Sequence, residues 1–102
     1  MSTPTRLLAL GVNNVIPGLT DELLDDFGPA MERIWKRCMD QRVLACKRDH
    51  VIAELQAIPG RQYDGPRFAL TVAQLLNRGV ALEWFKRVEG KFYLPGPKCE
   101  AD

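Results

Sequence analysis

Histidine is almost missing from this sequence and cysteine is scarce: His50 stands alone, and the thiols are Cys38, Cys46 and Cys99. No C-x-x-C spacing occurs, so neither a disulfide framework nor a zinc knuckle is suggested. A zinc site usually takes four ligands, mostly Cys and His. This chain offers only Cys46 and His50 four apart, plus two distant cysteines. No metal is expected, and no cofactor. A Cys46–His50 nucleophilic pair would need the base within hydrogen-bond reach of the thiol. The plainer reading makes Cys38 and Cys46 small buried residues and His50 an early residue of a helix. Also missing are a Gly-rich phosphate loop, H-E-x-x-H, G-x-S-x-G and a paired-carboxylate constellation. The chain is read as a non-enzyme.

Long apolar runs are missing too, so no helix is expected to cross a bilayer. The stretch from Leu7 to Val12 is shorter than a usual signal core, and a reducing, cytoplasmic location follows by default. With 8 Gly and 7 Pro the chain has enough for turns and too little for a low-complexity or collagen-like reading. What is present fits one soluble domain: 102 residues, of which 46% are hydrophobic.

No sign of charge dominates, with 14 Lys plus Arg against 13 Asp plus Glu. The charges are segregated, however. Residues 1–32 carry Arg6 against five acids, whereas residues 33–48 carry six bases against Asp40 alone. Residues 61–91 hold six bases and three acids. Local potential, rather than the total, steers a polyanion.

Thr20, followed by Asp21 and Glu22, reads as an N-cap with acids in the first turn. A short helix over Leu23, Leu24 and Phe27 should stop at Gly28, and Pro29 should open the next. Met31, Ile34, Trp35 and Cys38 then form one apolar stripe. Val43 to Ala45 either extend that helix or form a brief strand. Asp49 is the expected N-cap of a helix striped by Val51, Ile52, Leu55 and Ile58, ended by Pro59 and Gly60. After the loop from Arg61 to Gly65, Pro66 opens a third helix. Phe68, Val72, Leu75 and Leu76 form its buried stripe, and Gly79 its stop. Arg67, Thr71, Gln74 and Arg78 align on the other side. Val80 to Val88 and Lys91 to Leu94 flank a Glu89–Gly90 turn as a hairpin. Trp35, Phe68, Trp84 and Phe85 are assigned to the core. The expected fold is α+β and mainly helical, with residues 1–19 an N-terminal segment, 20–95 the domain and 96–102 a flexible tail.

This order of helices, short strand and terminal hairpin resembles the winged helix-turn-helix superfamily over about residues 29 to 95. The most telling stretch is Thr71, Leu75, Leu76, Gly79, Val80 and Leu82, then Glu89 and Gly90 at a wing tip, with Phe92, Tyr93 and Leu94 returning. Two features depart from the pattern: the loop from Pro59 to Pro66 is long, and Glu83 and Glu89 sit on the wing. The resemblance implies a DNA-binding regulator. Its recognition helix would run from Pro66 to Arg78, with Arg67 toward guanine, Gln74 toward adenine and Thr71 toward a thymine methyl or a phosphate. Arg78 belongs to that face, and Arg61, Lys86, Arg87 and Lys91 would hold phosphates. The expected partner is double-stranded DNA, bound by a homodimer joined through Leu7 to Leu19. The alternative is a small phage- or plasmid-type adaptor or inhibitor, occupying a larger host protein through the same scaffold.

Overall fold

A computed structural model of the chain describes residues 16–43 and 45–96. Three helices are followed by one antiparallel hairpin: α1 (Asp21–Gln41), α2 (Arg48–Gln56), α3 (Gly65–Ala81), β1 (Phe85–Val88) and β2 (Phe92–Pro95). The α+β class, with helices followed by a terminal hairpin, is that read from the sequence, but the first two expected helices are one and, among the described residues, no short strand precedes α2. No helix among the described residues is long and apolar enough to cross a membrane.

Thr20 caps α1 as expected, its hydroxyl oxygen accepting the Leu23 N–H at 3.1 Å. Such a cap contributes about 1 kcal/mol. The expected break at Gly28 does not occur. Pro29 lies inside one continuous helix, although an interior proline forfeits a backbone bond and crowds the preceding turn, at about 3 kcal/mol. Burial offsets that loss. Leu24, Phe27, Met31, Ile34, Trp35 and Cys38 keep one three-to-four spacing straight through the proline, and all are buried. The helix ends where Arg42 turns left-handed (φ 55°), with the Val43 N–H donating to the Cys38 carbonyl at 3.1 Å.

Residues 43 and 45–47 are irregular, neither helix nor strand. The segment is nevertheless tied to the sheet, since the Tyr93 N–H donates to the Cys46 carbonyl at 2.8 Å. The N-cap of α2 is Lys47, not Asp49, which occupies the first turn. His50 stabilises that start from within, its Nδ1 accepting the Lys47 N–H at 3.3 Å.

Gly79, read as the stop of α3, is buried inside it instead. The helix runs two residues further, so Val80 and Ala81 are helical and β1 begins only at Phe85. The absence of a Cβ at Gly79 makes room for the Phe85 ring, which a methyl group there would strike at Cδ2 and Cε2. Phe85 in turn meets the rings of Phe27 and Trp35 edge-on at 6.0 and 5.7 Å. The Trp35 indole N–H donates to the Tyr93 carbonyl at 2.9 Å. One aromatic cluster thus joins α1, α3 and the hairpin, with Trp35, Phe68, Trp84 and Phe85 all buried as expected. The strands pair Phe85 with Pro95 and Val88 with Phe92. Between them Glu89 and Gly90 both have positive φ (55° and 72°), the pair that a type I′ turn requires.

The boundaries of the body also shift. Gly96, read as the first tail residue, is buried and donates its N–H to the Trp84 carbonyl at 2.8 Å. Ile16 and Leu19, read as dimer contact, pack against the chain's own core. The rest of that expected contact, Leu7 to Val15, lies outside the described residues, as does Cys99.

Candidate polyanion-binding face

The hairpin tip and the start of α2 form a basic cleft. The bond from Tyr93 to Cys46 draws residues 45–47 along the outer side of β2, which delivers Lys47 and Arg48 beside Gly90 and Lys91. Together with Asp49 and Tyr93, these residues line an open cleft of about 250 Å³. The Lys47 and Lys91 ammonium groups lie 5.6 and 5.3 Å from the centroid of the same Phe92 ring. Each is attracted to the ring, yet the two cations repel each other. Asp49 is the only acid in the lining. Its carboxylate stands 3.7 Å from the Arg48 guanidinium and is 84% exposed. A pair of that kind is worth little in water, so the cleft keeps a positive excess.

Lys86 is exposed on β1 opposite Leu94. Arg87 is engaged differently. Its guanidinium lies over the Tyr93 ring at 5.3 Å and donates to Asn77 Oδ1 at 2.5 Å. It therefore joins the hairpin to α3, and its charge still stands near the surface.

The α3 face expected from the sequence is only partly present. Arg67 is exposed and Gln74 and Arg78 are half-buried. Thr71 is a correction: it is 1% exposed. Its hydroxyl donates to the Pro17 carbonyl at 2.6 Å or to the Arg67 carbonyl at 2.9 Å. At 100° per residue, Thr71 falls toward the buried stripe, and Gly18 closes over it. Gly18 has φ +83°, and a Cβ there would lie 2.7 Å from the Thr71 hydroxyl. The outermost line of α3 runs instead through Arg67, Leu70 and Asn77, with Leu70 54% exposed. Arg67 shares a second cleft, of about 240 Å³, with Glu22, Tyr63 and Asp64, so the potential there is mixed.

Arg61 is a second correction. Its guanidinium grips Asp26 Oδ2 at 2.6 Å and Glu22 Oε2 at 3.1 Å, and Tyr63 donates its hydroxyl to the same Asp26 oxygen at 2.6 Å. The hydrogen bond from Arg61 holds the Asp26 carboxyl below its usual range against the opposing effect of burial. Burial, followed by the bond to Asp26, pushes the Tyr63 phenol up. This cluster pins the loop between α2 and α3 onto α1 and uses up a cation assigned to phosphate. Glu54 does the same for α2, accepting from Arg33 and Arg37 at 2.6 Å each. Its carboxyl is lowered, chiefly by Arg37.

The Cys46–His50 pair is not assembled. Cys46 is fully buried, and burial, with Cys38 nearby, pushes its thiol up to about 12. His50 Nδ1 is occupied by the Lys47 N–H. Lys47 and Arg48 are the members of the basic face that the sequence reading missed. They belong to the basic block at residues 33–48, but only the pairing of Cys46 with Tyr93 carries them to the hairpin tip.

No protein-family model, curated protein or solved structure matches the chain.

Proposed function

We propose that the chain binds duplex DNA, setting the cleft at the hairpin tip against the phosphate backbone. The gathering of Lys47, Arg48 and Lys91 at one cleft, two of them on the same ring, carries this reading. Such a cluster calls for counter-charge, and a phosphate oxygen supplies it as a charge-assisted hydrogen-bond acceptor. Lys86 extends the basic surface along β1. Contacts of this type fix register without reading sequence. Arg67 and Gln74 on α3 are the groups suited to base edges, through a guanidinium fork and an amide. The order of elements resembles the winged helix-turn-helix superfamily, in which a helix and a hairpin share this work.

Fluorescence anisotropy with a labelled duplex tests the proposal. With Lys47, Arg48, Lys86 and Lys91 on phosphates, log K should fall against log salt with a slope of about −3 to −4. Replacing Lys47 and Lys91 by Ala should weaken binding to every duplex and flatten the slope by about 2. Replacing Arg67 and Gln74 should reduce discrimination between duplexes. Binding that ignores both salt and the lysine variants would remove the assignment and favour the adaptor or inhibitor reading.

A further inference from the structure

Of the chain's four Phe, two Trp and two Tyr, all but one serve the core. Phe27, Trp35, Phe68, Trp84, Phe85 and Tyr93 are buried in it, and Tyr63 packs against it. Phe92 is the exception. It is half-buried, pairs with Val88 next to the turn, and belongs neither to the buried cluster nor to the apolar residues packed against that cluster among the described residues. What stands by its ring is charge: the Lys47 ammonium at 5.6 Å and the Lys91 ammonium at 5.3 Å from the centroid.

Several cations elsewhere in the molecule are held by carboxylates. Arg33 and Arg37 grip Glu54, and Arg61 grips Asp26 and Glu22. Each of those contacts fixes a guanidinium and cancels its charge in the same act. An aromatic face does the first without the second. Its quadrupole attracts an ammonium although the ring carries no net charge, so the field of the cation still reaches the cleft. Arg87 is likewise held by neutral groups, the Tyr93 ring and the Asn77 amide. An ammonium has three N–H donors, and one can face the ring while the others reach an anion. A lysine already held in this way has less rotamer freedom left to lose on binding.

We infer that Phe92 is the positioning residue of the basic cleft. Its ring gathers Lys47, from the start of α2, and Lys91, from the hairpin tip, against their mutual repulsion, and leaves both charges available to a polyanion. The inference rests on the reading of that cleft as a phosphate-binding site. Phe92 acts on phosphate only through the two lysines.

Two measurements on the full chain test it. In the free protein, the ε-methylene protons of Lys47 and Lys91 should resonate upfield, shielded by the ring. They should return to ordinary lysine positions in Phe92→Leu, while amide shifts away from the hairpin tip stay as in the wild type. In fluorescence anisotropy with a labelled duplex, Phe92→Leu should weaken binding about 3- to 10-fold at every salt concentration. The slope of log K against log salt should not change, because no charge is removed. Phe92→Tyr, which keeps the ring, should restore wild-type affinity. Unshielded lysines in the wild type overturn the inference, as does wild-type affinity in Phe92→Leu or a loss that Phe92→Tyr does not repair. Each of those failures leaves the cleft reading standing wherever Lys47→Ala and Lys91→Ala still weaken binding. If those two variants bind as the wild type does, the cleft reading falls and the inference falls with it.

Discussion

The two ends of the hairpin are built for different work. At its base, Phe85 is 2% exposed and lies between Gly79, Phe27 and Trp35. The backbone there is closed by bonds from Trp84 to Gly79 and from Gly96 to Trp84, each 2.8 Å. At its tip, Glu89, Gly90 and Lys91 are exposed, and the last pair is Val88 with Phe92. The base is dry and committed to the core. The tip is wet and cationic, and little of the core rests on it. The basic surface is therefore carried on an element whose stability is supplied at its other end, and each end should be alterable without the other.

Three substitutions test that separation and a fourth tests the ion-pair cluster on α1, beginning with the largest effect. Phe85→Ala should cost about 3–5 kcal/mol, measured by urea denaturation, because three packed elements lose a common ring. Gly79→Ala should cost about 1–3 kcal/mol. Alanine ordinarily favours helices, so a stabilised Gly79→Ala protein would show that the Phe85 ring is not seated there.

Asp26→Asn should come next, at about 1–2 kcal/mol at neutral pH. Asp26 and Glu54 both titrate below their unfolded values, so the unfolded chain binds protons first as pH falls. Their stabilisation is complete above the usual carboxylate range and is lost as pH drops through the depressed values. Urea midpoints between pH 2 and 7 should fall less steeply in Asp26→Asn than in the wild type.

At the tip, Lys91→Ala should change stability by less than about 0.5 kcal/mol while weakening duplex binding. A Lys91→Ala protein that unfolds as readily as Phe85→Ala would erase the distinction between the two ends.

The fold was legible because its signals are local. Thr20 before two acids, Pro66 at a helix start, and Glu89–Gly90 between aromatic runs each state their role within a few residues. The errors came where packing overrode such signals. Gly28–Pro29 and Gly79 are sound breakers taken alone, yet the apolar spacing from Phe27 to Met31 and the seat of Phe85 outweigh them. The site was less legible. Arg61 and Thr71 look solvent-facing in sequence, and their partners Asp26 and Pro17 are 35 and 54 residues away. Lys47 and Lys91 meet only because Tyr93 pairs with Cys46, and neither residue announces a strand contact.

The most direct test of the account is an amide chemical-shift map recorded during titration with a short duplex at low salt. The largest changes should fall on residues 47–49 and 86–91, with a second group along the outer flank of α3 from Arg67 to Arg78. Changes confined to Trp35, Met39, Val43 and Leu94, or no saturable change at all, would contradict it.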